Sequence, residues 1–303
     1  MRSGALAEDL NVELPITPGV DFCGKLFRID KEAGERYKLR AGDRVMALVK
    51  VGGNSRFIGL DPAELVKVPE SVDPVEAVCL AENYASAFQI LQYGQSKTGR
   101  YRQHSLVGRT ILISGDVPSV LSRAIAKLCP ILGCTNVFAT AKEKHFDIVT
   151  AMGMTPVEAD SPSWQNYLLG SVDILIHLGG DMSTTLANKV LRPSGHLVVA
   201  SSYDKGGSSP PVSIMCSRVL ANLAARTYHH NVFKTWDTNR KQSQEDLTFL
   251  LDLLERRLLV PHVIDRIELA DVPNANLALE AQRQSGHIVC EPWLRNKTNL
   301  ADP

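Results

Sequence analysis

The segment Thr110 to Ala126, TILISGDVPSVLSRAIA, constrains this chain more than any other. Thr110 to Ser114 is a β-branched, apolar run, the pattern of a strand buried inside a parallel sheet. Gly115 to Pro118 is turn chemistry. Ser119 suits an N-cap, and Val120, Leu121, Ala124, Ile125 and Leu128 then recur at helical spacing. Strand, tight turn and helix open a βαβ unit of the dinucleotide-binding kind. In such a unit, turn glycines let the backbone approach a pyrophosphate at the helix N-terminus. Only Gly115 is kept here. Pro118, Ser119 and Leu121 stand where small residues are expected, so the architecture is legible while the phosphate cradle is degraded.

The rest of the chain supplies a setting for that segment. From 106 to 200 strands and helices alternate: strands at 110–114, 136–141, 172–177 and 196–200, helices at 119–130, 143–152 and 183–191. That order predicts a parallel sheet with right-handed crossovers. Residues 13–70 instead show closely spaced turns around short strands at 45–49 and 64–68, the pattern of an all-β subdomain. Residues 71–91 turn helical, with Asp73 and Pro74 as N-cap and first helical residue. Gln244 to Leu259 reads as an amphipathic helix with Leu247, Leu250, Leu251 and Leu254 on one face. Lys97 to Arg102 reads as a solvated basic connector.

A length of 303 residues suits two domains, and 33 basic against 33 acidic residues leave no net charge to draw nucleic acid or an anionic membrane. A small molecule is the expected partner. The six cysteines form no C-x-x-C pair, which predicts buried, reduced thiols in a cytoplasmic protein. No apolar run approaches the ~20 residues that span a bilayer, and the first residues lack a signal-peptide pattern.

Several segments, in order, resemble the medium-chain dehydrogenase/reductase superfamily, in its zinc-independent quinone oxidoreductase and enoyl reductase branch. Pro18 to Gly24 matches P-G-x-D-x-x-G, and Ala41 to Val45 matches A-G-D-R-V. Leu65 to Pro69 matches the strand after that turn, and Leu80 to Phe88 the helix that normally ends in T-A-Y. Gly170 to Asp173, Gly179-Gly180, Leu191 to Gly195 and Ile288-Val289 match later strands and turns. The resemblance implies an α/β protein: a Rossmann-type, doubly wound parallel sheet plus an incomplete GroES-like β domain. It implies a division at residues 1–88, 89–262 and 263–303, the last returning to the β domain. Met1-Arg-Ser-Gly4 resembles the R-S-G that follows the first strands of the family's β domain, so the chain either starts late or is naturally truncated.

The resemblance further implies an NADPH-dependent reductase of quinones or α,β-unsaturated carbonyls working in an interdomain cleft, and a homodimer paired through the sheet edge. The alternative is a non-catalytic relative that keeps the fold as a binding or interaction module. Zinc relatives carry G-H-E where this chain has Gly19-Val20-Asp21, and Val20 cannot ligate a metal. The cofactor set implied is Ser86, Gly115, Pro118, Ser119, Val120, Thr140, Lys142, Lys144 and Gly179. The strand ending at Ala141 lacks the acid that binds a ribose diol, and Lys142 and Lys144 suit a 2′-phosphate, so NADP is favoured over NAD, with binding weakened by the lost glycines. Tyr84 and Tyr203 are candidate proton donors, more readily read as structural. Asn83 falls in the same helical segment. His177 reads as a core histidine, and His229-His230 as surface residues.

Overall fold

The computed structural model describes residues 15–92, 106–158, 161, 163–179, 184–200, 227–282 and 286–294. The chain divides into two compact units, Met1–Ala85 with Trp236–Pro303, and Ser86–Thr235. The connector at 97–102, Met1 to Gly4, Gly180, Tyr203 and Cys216 lie outside the described residues.

In the first unit, β1 (Asp21–Lys25), β2 (Arg44–Leu48) and β3 (Val66–Lys67) form an antiparallel sheet in that order, which fits a GroES-like part. Arg44 Nη1 donates to the carbonyls of Val72 at 2.7 Å and Glu70 at 3.2 Å, holding the 69–72 turn against β2. A helix at Lys31–Tyr37 interrupts the expected all-β order. It buries no residue, so it has no apolar stripe to betray it. Asp30 caps it by accepting from the Ala33 amide at 2.9 Å. Further on, Asp73 caps the helix Pro74–Val78, and a π-helical turn at Leu80–Tyr84 leads into the helix Ala85–Gln92.

The second unit is a six-stranded sheet. Its strands are β4 (Thr110–Gly115), β5 (Asn136–Ala141), β6 (Thr155–Glu158), β7 (Val172–Leu178), β8 (Leu191–Ala200) and β9 (Thr227–His230). They lie in the order β6-β5-β4-β7-β8-β9, and every neighbouring pair is parallel. This is a doubly wound, Rossmann-type α/β sheet, and the strand order reverses between β4 and β7. Helices cover the sheet, which is why β4 and β7 are continuous apolar runs rather than alternating ones. Ile111, Leu112 and Ile113 are wholly buried, each contributing roughly 1.5–3 kcal/mol. Leu112, Val172, Leu175 and Leu197 pack with Trp164 and Leu168 in one cluster.

At the start of these strands Asp173 is buried and fully partnered. Its Oδ1 meets Arg109 Nη1 at 2.8 Å and Arg192 Nη1 at 2.9 Å, while Oδ2 accepts from the Thr110 amide at 2.9 Å. The pairing of β7 with β8 jumps from Val172–Leu191 to Ile174–His196, so Arg192 to Gly195 stand opposite Asp173 alone. That excursion is the turn expected at Leu191 to Gly195, and it is what delivers Arg192 to Asp173.

One expectation needs correction. His230 is not a surface residue: it closes β9 and is buried, and burial pushes its pKa down to about 3. His229 beside it is exposed, as alternation along a strand requires. The amphipathic helix runs from Arg240 to Glu255, buries Leu247, Leu250, Leu251 and Leu254 as expected, and lies in the first unit. Its polar N-terminal turns decide that. Arg240 Nη1 meets Glu64 Oε1 at 2.8 Å, and Gln244 Nε2 donates to the Ala63 carbonyl at 2.9 Å. After it, β10 (Val263–Ile267) and β11 (His287–Cys290) pair in parallel around the helix Val272–Gln282.

Candidate functional site

In an open parallel sheet, ligands bind beyond the carboxyl ends of the strands where the order reverses. Here that point lies between the ends of β4 and β7, at Gly115 and Leu178-Gly179. Gly115 has φ +98°, and a Cβ added there would sit 2.5 Å from the Gly179 carbonyl oxygen. The Asp116 amide donates to the Leu178 carbonyl at 3.2 Å. The surviving glycine is therefore demanded by the close approach of two strand ends, independently of any phosphate. Gly179, at φ +90°, has open space where its Cβ would stand.

The helix Val120–Ile131 starts at Ser119, an extended N-cap residue. Ser119 Oγ accepts from the Ser122 amide at 3.2 Å, and Ser122 Oγ accepts from the Ser119 amide at 2.8 Å. This reciprocal capping box satisfies two amides that a glycine turn would offer to a pyrophosphate. Pro118 has no amide hydrogen to offer. Val120 and Leu121, in the first helical turn, keep amides without intrahelical acceptors. Asp116 adds a carboxylate to the same turn.

On the neighbouring strand β5, Thr140 is buried at the carboxyl end, and Lys142 and Lys144 follow it, both exposed. Neither lysine forms an ion pair among the described residues. The donor set is thus uneven. Two exposed cations suit a 2′-phosphate, whereas the pyrophosphate position is left with the amides of Val120 and Leu121. Ser86 is buried on the helix Ala85–Gln92, within the same unit. The turn groups Gly115, Pro118, Ser119 and Val120 with Gly179, and Thr140, Lys142 and Lys144 lie one strand over.

Sequence reasoning missed two features of this region. Ser114 Oγ lies 3.1 Å from His177 Nδ1, and the two residues stand opposite each other at the ends of β4 and β7. His177 is buried, as expected of a core histidine, but it sits directly beneath the switch point. Strand register alone reveals that pair. Ser122 did carry a signal: Ser119-x-x-Ser122 is the spacing of a capping box, with serine in place of the usual Glu or Gln.

The first unit holds a different set of polar groups. Tyr84 is buried and stacks on His287 with ring centroids 6.1 Å apart, which makes it a packing residue. Burial, with a smaller push from His262, lowers the His287 pKa to about 4. Asn83 Nδ2 reaches Glu82 Oε2 at 3.4 Å. Burial, with a smaller contribution from neighbouring Asp21, raises Glu82 to about 8, and burial raises Asp21 to about 7. Among the described residues no group of three or more metal-ligating side chains converges, and no helix is long and apolar enough to cross a membrane.

No family profile matches the chain. The mouse "Synaptic vesicle membrane protein VAT-1 homolog" is 27% identical over 191 residues, which take in 61% of this chain and 44% of that protein. The chain thus spans less than half the length of that relative. Among solved structures, the quinone oxidoreductase from Coxiella burnetii superposes with a TM-score of 0.69 at 19% identity, covering 97% of this chain and 84% of that one. The CurK enoyl reductase superposes with a TM-score of 0.72 at 16% identity, covering 94% and 82%.

Proposed function

We propose that this chain, whose homologues and fold are those of the medium-chain dehydrogenase/reductase superfamily, is a zinc-independent, NADPH-dependent oxidoreductase of quinones or α,β-unsaturated carbonyls. The observation that carries the reading is the strand order of the second unit. Its reversal brings Gly115 and Gly179 together beside a helix N-terminus, with Lys142 and Lys144 one strand over. Lys142 and Lys144 would hold the 2′-phosphate, and the Val120 and Leu121 amides the pyrophosphate. When bound, the nicotinamide supplies a hydride; the chain's own residues orient and screen it. A small conjugated carbonyl, a homodimer, a cytoplasmic location and the domain division at 88/89 belong to the same proposal.

Titration of NADPH fluorescence with the full chain tests it. NADPH is expected to bind more tightly than NADH, and the double change Lys142→Ala with Lys144→Ala is expected to erase the difference. Equal affinity for both cofactors in the unmodified chain, or tighter NADH, defeats the assignment.

The capping box favours a second reading, a non-catalytic relative that keeps the fold as a binding module. The first helical turn satisfies itself with Ser119 and Ser122, a state that needs no phosphate. Complete absence of NADPH binding by the folded chain would establish that alternative.

A further inference from the structure

We infer that Cys129 and Cys134 form an oxidant-sensitive thiol pair that closes to an intrachain disulfide. The inference rests on the end of the helix Val120–Ile131 opposite the candidate turn. Gly133, at φ +86°, ends that helix in the left-handed conformation. The Gly133 amide donates to the Pro130 carbonyl at 3.0 Å, and the Cys134 amide to the Cys129 carbonyl at 2.8 Å. These are the two bonds of a Schellman cap. Such a cap brings the side chains of the two residues joined by its outer bond into contact, usually an apolar contact. In this chain both residues are cysteines, the first and last of the six-residue stretch CPILGC, so the cap sets two thiol side chains against each other.

The surroundings suit exchange of a bond for that contact. A disulfide asks for α-carbons roughly 4.4–6.8 Å apart, a reach met by residues whose backbones are already hydrogen-bonded. Both thiols are reduced and buried, yet the cap is superficial: Pro130, Thr135 and Asn136 are exposed. Opening of the last helical turn, a low-energy event at any helix end, uncovers both sulfurs. Cys134 Sγ donates to the Arg109 carbonyl at 3.3 Å, and its neighbour Cys129 holds the Cys134 pKa below the ordinary thiol value and is itself held above it, so Cys134 is the nucleophile.

The oxidant class is a peroxide. The Cys134 thiolate attacks one peroxide oxygen, the O–O bond breaks, and a sulfenic acid forms with release of water. The Cys129 thiol then attacks that sulfur, the S–O bond breaks, and a second water leaves. Two thiols lose two electrons and two protons, and one hydrogen peroxide becomes two waters.

The test uses the reduced full chain. It is exposed to a small excess of hydrogen peroxide, quenched, denatured, alkylated with iodoacetamide and cut with trypsin. The tryptic peptide from Leu128 to Lys142 contains Cys129 and Cys134 and no other cysteine. That peptide is expected to lose both alkyl groups together and become lighter by two hydrogens, before the other four cysteines lose theirs. In Cys129→Ser, dimedone is expected to label Cys134 as its sulfenic acid. The inference is overturned if the peptide stays doubly alkylated while other cysteines oxidise. Dimedone labelling of Cys134 in the unmodified chain, with no bridge formed, overturns it equally.

Discussion

Asp173 of the sheet unit and the pair Asp21 and Glu82 of the other unit are carboxylates that the fold treats in opposite ways. In the sheet unit, Asp173 is met on both oxygens by two arginines and a backbone amide. In the other unit, Asp21 and Glu82 lie near each other with no ion pair among the described residues, and burial holds both well above the usual carboxylate range. The sheet unit satisfies Asp173 internally, and its first helix closes its own start with a capping box. The β unit leaves two acids in need of a proton. Satisfied groups mark a structural framework, whereas strained titration marks the places where a fold tolerates cost.

The contrast is broken most forcefully at Asp173. Asp173→Ala strands two guanidinium groups and the Thr110 amide. Because both arginines are partly exposed, the expected loss is about 2–3 kcal/mol rather than the full penalty of a deeply buried pair. Denaturant midpoints would measure it, and a loss below ~0.5 kcal/mol would mean the cluster is incidental.

A smaller effect is expected at the helix start. Ser122→Ala removes one half of the capping box and should cost about 1 kcal/mol. It also releases the Ser119 amide, so NADPH affinity is expected to rise while stability falls. If affinity falls along with stability, the box supports the turn instead of competing with a ligand.

The most diagnostic change concerns the acids of the β unit. Their raised pKa values mean that the folded chain holds protons which the unfolded chain has released. Stability therefore declines as pH rises from the ordinary carboxylate range through 7 to 8, and levels off above that. Glu82→Gln and Asp21→Asn are expected to flatten the decline, making each variant more stable than the parent at pH 8 and equal to it near pH 4. Hydrogen exchange followed separately in the two units from pH 5 to 9 would localise the effect. Asp43, lowered chiefly by its hydrogen bond from Lys67 at 2.9 Å, is the internal control within the β unit. It is an acid whose stabilisation persists above the unfolded pKa and is lost in acid.

The parallel sheet was legible in the sequence because both faces are covered. Continuous apolar runs such as Ile111 to Ile113 and Ile174 to Ile176 have no other stable home, and their alternation with helical spacing dictates the crossovers. The amphipathic helix was equally legible, since its four leucines repeat at helical spacing. The helix Lys31–Tyr37 was not, because a helix that buries nothing leaves no periodic trace. The family resemblance located the candidate turn, and Ser119 announced its own role as an N-cap.

Tertiary structure alone decided what those residues do to one another. Residues 63 positions apart, Ser114 and His177, meet because strand register sets β4 against β7. The purpose of Gly115 emerged only when the Gly179 carbonyl, just past β7, stood 2.5 Å from where its Cβ would be. The cap that joins the Cys134 amide to the Cys129 carbonyl required the left-handed Gly133, and the place of the helix Arg240–Glu255 was settled by Glu64 and the Ala63 carbonyl far away in sequence. Periodicity reports which faces an element must bury, a local property of the chain. Which polar groups are satisfied, and by whom, depends on contacts that close only when distant strands and turns come together.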